Sequence, residues 1–391
     1  MKATIEISAL LSALRVIGPA LARTNSFRNA SCSLSAADDR VIIRAASLDW
    51  DAEYVLPAQV AVAGTVWLPP DLVRALPFGL FVEPIEVRAG ARLLEIRSGS
   101  IAYTLPRLEP DSVASLSKGL VRCADACGST LTRILLLGAS AAHQPSGGGT
   151  DDLGTDRPER DGAWLEIDRE RVTVSSTDRT RVASASTAAT SVADFRAALP
   201  IHAVLALARA AAQAETATLL RAKRDPSPAL AIAAGPATVT VRTLSALPPD
   251  PTALDLEIPH TATTVRVAAD RITTGLRAAL AIAGTDPHAI VQLHGRRAHL
   301  DIHVTAGANR ASATVALDHA SGPEADVTLH ARPLVAVLAP LGTAEVTLGL
   351  RGPGGPVSIA ATEGSVRYRG LLAVTVDSGR PGRPVAATAG A

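Results

Sequence analysis

The sequence predicts an α+β fold: a few helices lying on one side of predominantly antiparallel sheet, with the same plan repeated three times along the chain. Three observations carry this reading. A short alternating strand followed by an apolar-periodic helix occurs near residues 4, 121 and 264. A second strand-led helix recurs about midway through each repeat, and short alternating strands far outnumber the helical stretches between them.

The elements follow in order. Thr4-Ile5-Glu6-Ile7 alternates as a strand, Ser8 is the expected cap, and Leu10, Leu11, Leu14, Ile17 and Leu21 recur at helical spacing. A weaker copy begins near Val121, its helix marked by Leu131, Ile134, Leu135 and Leu137. The third copy reads Thr264-Val265-Arg266-Val267, then Ile272, Leu276, Leu280 and Ile282, with Gly284 as the stop. The midway helices are expected over Asp71–Leu76, His202–Ala211 and Pro333–Leu341. Strands are expected at Arg40–Ala45, Ala52–Val55, Ile85–Val87, Leu93–Arg97, Ala163–Ile167, Val172–Ser176, Ala237–Arg242, Ala298–Val304 and Glu345–Leu350, each bounded by turn residues. The repeats divide the chain at 1–118, 119–250 and 251–376. The second contains an acidic, Gly-rich loop at 145–162, and a Gly, Pro, Ala and Arg tail at 377–391 is expected to be disordered.

Composition narrows the function. The 391 residues are 47% hydrophobic but only 3% aromatic, so the core is built from Ala, Val, Leu and Ile, and base stacking on aromatic platforms is disfavoured. A net charge of +1 argues against coating nucleic acid or membrane by bulk charge and leaves room for a local basic stripe. The basic residues are nearly all Arg, with Lys only at Lys2, Lys118 and Lys223, which together with abundant Ala reads as coding bias. Three cysteines are too few for a disulfide framework or a four-ligand zinc site, and fit a reducing compartment. Glu6 interrupts the N-terminal run before a signal core forms, and apolar runs such as Ala278–Ala283 fall far short of the roughly 20 residues that cross a bilayer. A soluble, cytoplasmic protein without a membrane partner is expected.

Few motifs suggest chemistry. His299, Asp301 and His303 alternate on one strand face with His294 nearby; the spacing is compatible with a divalent metal, and a solvated strand face is the simpler reading. Cys123 and Cys127 are expected to be small core residues. Gly147-Gly148-Gly149 lacks the Lys-Ser/Thr of a phosphate loop, and neither a nucleophile elbow nor a zinc-protease helix occurs. The expectation is a non-enzymatic protein with no metal and no cofactor.

Four stretches together resemble a known family. Leu72-Val73-Arg74-Ala75-Leu76-Pro77, Leu93–Ser100 and Tyr103-Thr104-Leu105-Pro106 look like the helix, strand and Leu-Pro exit in the first domain of the bacterial sliding clamp, the beta subunit of DNA polymerase III. Val172–Val182 is similar to that family's strand ending in Thr-Asp-Gly-His-Arg-Leu. The resemblance covers nearly the whole chain apart from the acidic loop and the tail. It implies the DNA clamp fold: three repeated domains per chain, two chains head to tail in a dimeric ring, sheet outside and helices lining the hole. It also implies a processivity factor that encircles duplex DNA without regard to sequence, tethering polymerase and repair factors, and that meets polymerase and clamp loader through short peptide motifs.

The same resemblance nominates sites. DNA contacts fall on Arg23 and Arg28 after the first helix, on the pair His143 and Gln144, and on Arg133, Arg209 and Arg277 of the predicted helices. A partner-peptide pocket matches Thr177, Arg179, Thr180, Arg181, Val182, Leu254, His288, His330, Pro333, Val346, Leu372 and Val374. Several positions depart from the family pattern. Gly-His becomes Arg179-Thr180, an Asn and a Tyr become His330 and Pro333, and the closing Met-Pro-x-Arg-Leu is replaced by Ala373–Asp377. These departures raise an alternative, a specialised or spare clamp whose altered pocket escapes inhibitors directed at ordinary clamps.

Overall fold

The computed structural model describes residues 1–21, 31–68, 70, 73, 81–107, 115–142, 162–222, 229–245, 250–251, 256–284, 286 and 289–373. They form two compact units. The first comprises Met1–Asp178, Ala183–Ala253 and Gly364–Tyr368, and the second Arg179–Val182, Leu254–Glu363 and Arg369–Ala391. The first unit thus spans the two N-terminal repeats. The expected helix at Asp71–Leu76, apart from Val73, the acidic loop up to residue 161, and the tail lie outside the described residues.

In the first unit a thirteen-stranded sheet runs through both repeats. Its hinge is Trp50–Val62, a 13-residue strand of which the expected Ala52–Val55 is only the middle. Its first half pairs with Ala237–Arg242 of the second repeat, from Trp50↔Val241 to Tyr54↔Ala237. Its second half pairs with Lys2–Ile5. Pro57, which has no N–H to donate, sits where the strand changes partners. A buried charge locks the junction. Asp51 is 2% exposed and accepts from Arg44 Nε at 2.7 Å, Arg44 Nη2 at 2.8 Å, Ser115 Oγ at 2.8 Å and Ser117 Oγ at 3.1 Å. Ser117 also meets Thr240 on the neighbouring strand, Oγ to Oγ1 at 3.0 Å.

Among the described residues three α-helices pack in this unit: α1 (Ile7–Ile17), α2 (Gly128–Gly138) and α3 (Ile201–Ala211). Each buries one apolar stripe, such as Leu131, Ile134, Leu135 and Leu137 of α2. A buried Leu or Ile contributes about 1.5–3 kcal/mol. Glycine lets α2 come close to its neighbours: a Cβ on Gly128 would lie 2.1 Å from Ala214 O, and one on Gly138 2.2 Å from Val174 O. Thr132 Oγ1 then donates to Ala208 O of α3 at 3.1 Å.

The second unit holds a four-stranded antiparallel sheet in the order Asn309–Ala316, His299–Ala306, Ile290–Gly295, Ala325–His330. It also contains the run Val357–Glu363, Glu345–Leu350, Thr263–Ala268, His319–Ser321. Helices α4 (Ala269–Leu280) and α5 (Ala331–Leu338) pack against each other. The expected helix over Pro333–Leu341 is α5 continued by a 3-10 turn, Ala339–Leu341. The α+β class with helices on antiparallel sheet holds throughout.

The five described helices begin alike, which explains one misread element. The residue before each is extended, with φ and ψ of −66° and 134° at Glu6, −62° and 128° at Cys127, −62° and 139° at Pro200, −66° and 135° at Ala268, and −70° and 131° at His330. None makes a side-chain cap, so Ser8 lies inside the first turn of α1 and is not the cap. Backbone carbonyls take over part of that role. The first amides of α2, α4 and α5 donate to Glu215 O, Ala344 O and Ala289 O at 2.7, 2.9 and 3.0 Å.

The cysteine expectation is half corrected. Cys123 is buried, but Cys127 is exposed at the start of α2. The strand Leu120–Cys127 bulges at Cys123: Leu219 faces Ala124 and Leu220 faces Arg122, so the two thiols no longer share a side.

Candidate functional site

The helices carry a charge bias that the whole-chain balance conceals. The described helices bear Arg15, Arg133, Arg209, Arg271, Arg277 and Arg332 against one acidic residue, Asp270, in a chain with 38 basic and 37 acidic residues. The rest of the chain is therefore net acidic. Each helix gains its arginine from the exposed side of a 3.6-residue period: Arg15, Arg209, Arg277 and Arg332 are exposed, and Arg133 is half-buried.

Arg209 and Arg332 are held by neutral carbonyls, which orient a guanidinium without cancelling its charge. Arg209 Nη1 donates to Arg15 O at the end of α1 at 3.1 Å. Arg332 donates to Gly284 O and Asp286 O, both at 3.0 Å. Arg271 is neutralised, pairing with Asp318 at 2.8 Å while also bonding Ala316 O. Of the expected DNA contacts, Arg133, Arg209 and Arg277 stand on helices as anticipated, and Arg23, Arg28, His143 and Gln144 lie outside the described residues. Arg15, Arg271 and Arg332 stand on the same helices and were not among the residues expected from the sequence.

The pocket candidates separate by chemistry. Val182, Val346 and Leu372 are 4%, 0% and 1% exposed, so the apolar members are core residues. Thr177 is also buried, at the end of the strand Arg171–Thr177 in the first unit. Arg179 and Thr180 are exposed, and Arg181, His330 and Pro333 are half-buried. In the second unit Ala373 N donates to Thr180 O at 2.7 Å, bringing Arg179–Val182 to the end of the strand Val366–Leu372. Val346 sits on the separate strand Glu345–Leu350, and His330 and Pro333 begin α5. Leu254, His288 and Val374 lie outside the described residues.

Arg179 has a backbone φ of +75°, the left-handed region. An L-residue pays about 1 kcal/mol there through contact of Cβ with the carbonyl oxygen, a penalty glycine avoids. Arginine therefore occupies a position whose geometry suits glycine.

The histidine face resolves into pairs. His294 Nδ1 is 2.8 Å from Asp326 Oδ1, and its ring meets His303 edge-on at 4.9 Å. His299 Nε2 is 3.3 Å from Asp301 Oδ2, and Asp301 Oδ1 accepts from Thr314 at 2.8 Å. Among the described residues no group of three or more His, Cys, Asp or Glu side chains is arranged to hold a metal ion. Nor is any described helix long and apolar enough to cross a membrane.

No family model and no curated protein sequence matches the chain. Solved structures do. The beta subunit of DNA polymerase from Streptococcus pyogenes superposes with a TM-score of 0.76 at 16% identity, covering 96% of this chain and 99% of that one. The DNA polymerase sliding clamp from Bacillus subtilis gives 0.75 at 16% identity over 96% and 98%. The sliding clamp from Caulobacter crescentus gives 0.70 at 22% identity over 96% and 99%. The chain has the sliding-clamp fold.

Proposed function

We propose that this protein is a cytoplasmic DNA sliding clamp: a non-catalytic processivity factor whose chain, divided into domains at 1–118, 119–250 and 251–376, closes head to tail with a second copy around duplex DNA. The observation that supports it is the concentration of arginine on the helices of a chain that is otherwise net acidic. A ring retained by closure needs only weak, sequence-blind phosphate contacts. Scattered arginines, about one per helix and several of them already oriented by backbone carbonyls, suit sliding better than gripping. Arg23, Arg28, His143 and Gln144 complete the proposed contact set.

Two measurements test it together. Light scattering should give about twice the 40.1 kDa chain mass, since soluble oligomers close by symmetry. Protein loaded on nicked circular DNA should be released within minutes of linearisation even at low salt, whereas a basic groove would hold by charge. A monomer, or equal retention on circles and linear DNA, refutes the ring.

The spare-clamp reading draws on a separate observation: Val182, Val346 and Leu372 are packed into the core, and Pro333 offers neither an aromatic wall nor a hydroxyl. Losing one apolar anchor costs about 1–3 kcal/mol, so standard clamp-binding peptides should bind at least ~10-fold more weakly than to an ordinary clamp. Equal affinity in titration calorimetry removes this reading and leaves the ring untouched.

A further inference from the structure

We propose that His294 and His303 form a binding site for a divalent transition-metal cation, such as Ni²⁺ or Zn²⁺, on the polar face of the four-stranded sheet in the second unit. The inference starts from register. Along His299–Ala306 the apolar Leu300, Ile302 and Val304 are buried, so His299, Asp301 and His303 share the opposite face. His294 stands across from Asp301 on one neighbouring strand and from Asp326 on the other, and Gln292 stands across from His303. His294 and His303 are therefore diagonal neighbours, and their rings meet with centres 4.9 Å apart at 74°.

That spacing suits a shared ion. An imidazole nitrogen lies about 1.15 Å from its ring centre and binds such metals at about 2.05 Å, so the ion sits roughly 3.2 Å from each centre, and rings meeting it at about 90–110° have centres roughly 4.5–5.2 Å apart. The hydrogen bonds leave the right atoms for it. His294 Nδ1 is 2.8 Å from Asp326 Oδ1, and an ionised carboxylate only accepts, so Nδ1 carries the proton and Nε2 of the neutral ring keeps its lone pair. A carboxylate behind the ring is the usual support of a metal-binding histidine. His303 is exposed and, among the described residues, is held by the ring contact alone, so turning a nitrogen toward the ion breaks no hydrogen bond. Asp301 lies beside the pair and adds negative field, but its own oxygens are engaged: Oδ1 accepts from Thr314 at 2.8 Å and Oδ2 is 3.3 Å from His299 Nε2. His299 is thereby Asp301's partner and stands outside the site. Imidazole suits Zn²⁺, Cu²⁺ and Ni²⁺, whereas Mg²⁺ and Ca²⁺ take oxygen ligands. Two histidines fill part of a coordination shell and water takes the rest, which agrees with the lack of a three-residue ligand group among the described residues and makes the ion exchangeable.

The site is independent of the clamp reading, and neither outcome of its test touches that reading. The probe is Ni²⁺, titrated calorimetrically into the full chain carrying Cys127→Ser, so that the exposed thiol takes no ion. One ion should bind per chain, Mg²⁺ should not bind, and the melting temperature should rise with Ni²⁺ concentration because the folded state alone presents the pair. Asp326→Asn should weaken binding by about 10–100-fold, and His294→Gln or His303→Phe by at least as much. His303→Phe keeps the ring contact and removes the nitrogens, so its melting temperature without metal should match the parent's; a role confined to ring packing would leave Ni²⁺ binding unchanged in it. His303→Gln, polar at an exposed position, gives the same reading if the phenylalanine variant melts early. His299→Gln should bind as the parent does. No saturable Ni²⁺ binding by the parent, binding undiminished in both His294→Gln and His303→Phe, or a loss caused by His299→Gln and not by His303→Phe overturns the site.

Discussion

Replacing Asp51 by alanine should destabilise the first unit more than any surface charge change, and the structure fixes the size of the effect. Asp51 is 2% exposed and accepts four hydrogen bonds, two from Arg44 and one each from Ser115 and Ser117. Removing it strands the Arg44 guanidinium and two hydroxyls in a partly buried site. Breaking a buried ion pair from one side costs about 3–5 kcal/mol. Arg44 is 27% exposed and regains some hydration, which puts Asp51→Ala near 3 kcal/mol, or roughly 6–12 °C in melting temperature for a unit of this size. Replacing both partners, Arg44→Met with Asp51→Leu, should cost much less than the sum of the single changes, because no unpaired charge remains.

The same carboxylate predicts an acid limb. Burial alone would raise the Asp51 pKa, but the hydrogen bonds from Arg44, Ser115 and Ser117 and the Arg44 charge outweigh it and hold the group below the ordinary carboxylate range. A depressed folded-state pKa stabilises above the unfolded value and is lost as pH falls through the folded one. Wild type should therefore lose stability below the usual Asp range, and Asp51→Asn should start lower and flatten that limb. Denaturant titrations at pH 7 and on descending toward pH 3 measure both. An Asp51→Ala change below about 0.5 kcal/mol at pH 7, the size of an ordinary surface substitution, would refute the buried-lock account.

Two further predictions use the same logic of space and exposure. Gly128→Ala should cost at least about 1–3 kcal/mol, since its Cβ would meet backbone oxygens of Ala214 and Ala211 at 2.1 and 2.4 Å that cannot swing aside. Gly18→Ala, with nothing within 4 Å and φ of −52°, should be neutral or stabilising by about 0.4–1 kcal/mol, and thermal melts of the pair separate the cases. Of the three thiols, Cys127 should react with a thiol reagent in the folded protein. It is exposed, and hydrogen bonds from Ser129 and Thr130 lower its pKa, whereas burial pushes Cys32 up to about 12. Mass spectrometry after brief alkylation should find one modified cysteine, and rapid labelling of Cys32 would contradict the packed first repeat.

What the sequence made legible was local pattern. Ile5, Leu10, Leu14 and Ile17 announce strand then helix because the period changes from 2 to 3.6 within a few residues, and the same change at Val267 and Ile272 is equally plain. What it concealed depends on residues far apart. The helix caps went unseen because Ala344 O serves Ala269 N, a bond no motif encodes. The Asp51 lock stayed hidden because its partners stand at residues 44, 115 and 117. Cys127 was misplaced by a one-residue bulge at Cys123, which reverses the alternation that sequence reading assumes. At Arg179 the departure from glycine was visible in the sequence, but the left-handed backbone that gives it weight was not.

The pattern of hidden and visible features bears on how a chain only 16–22% identical to the superposed clamps retains their fold. On the proposed reading, DNA is held by closure, so no single side chain must meet a base, and an arginine can move one turn along a helix without loss as long as the helix stays net positive. Demands on particular residues then concentrate where backbones nearly touch, as at Gly128 and Gly138. Those contacts protect the fold, because a Cβ at either position would meet a backbone oxygen that cannot swing aside.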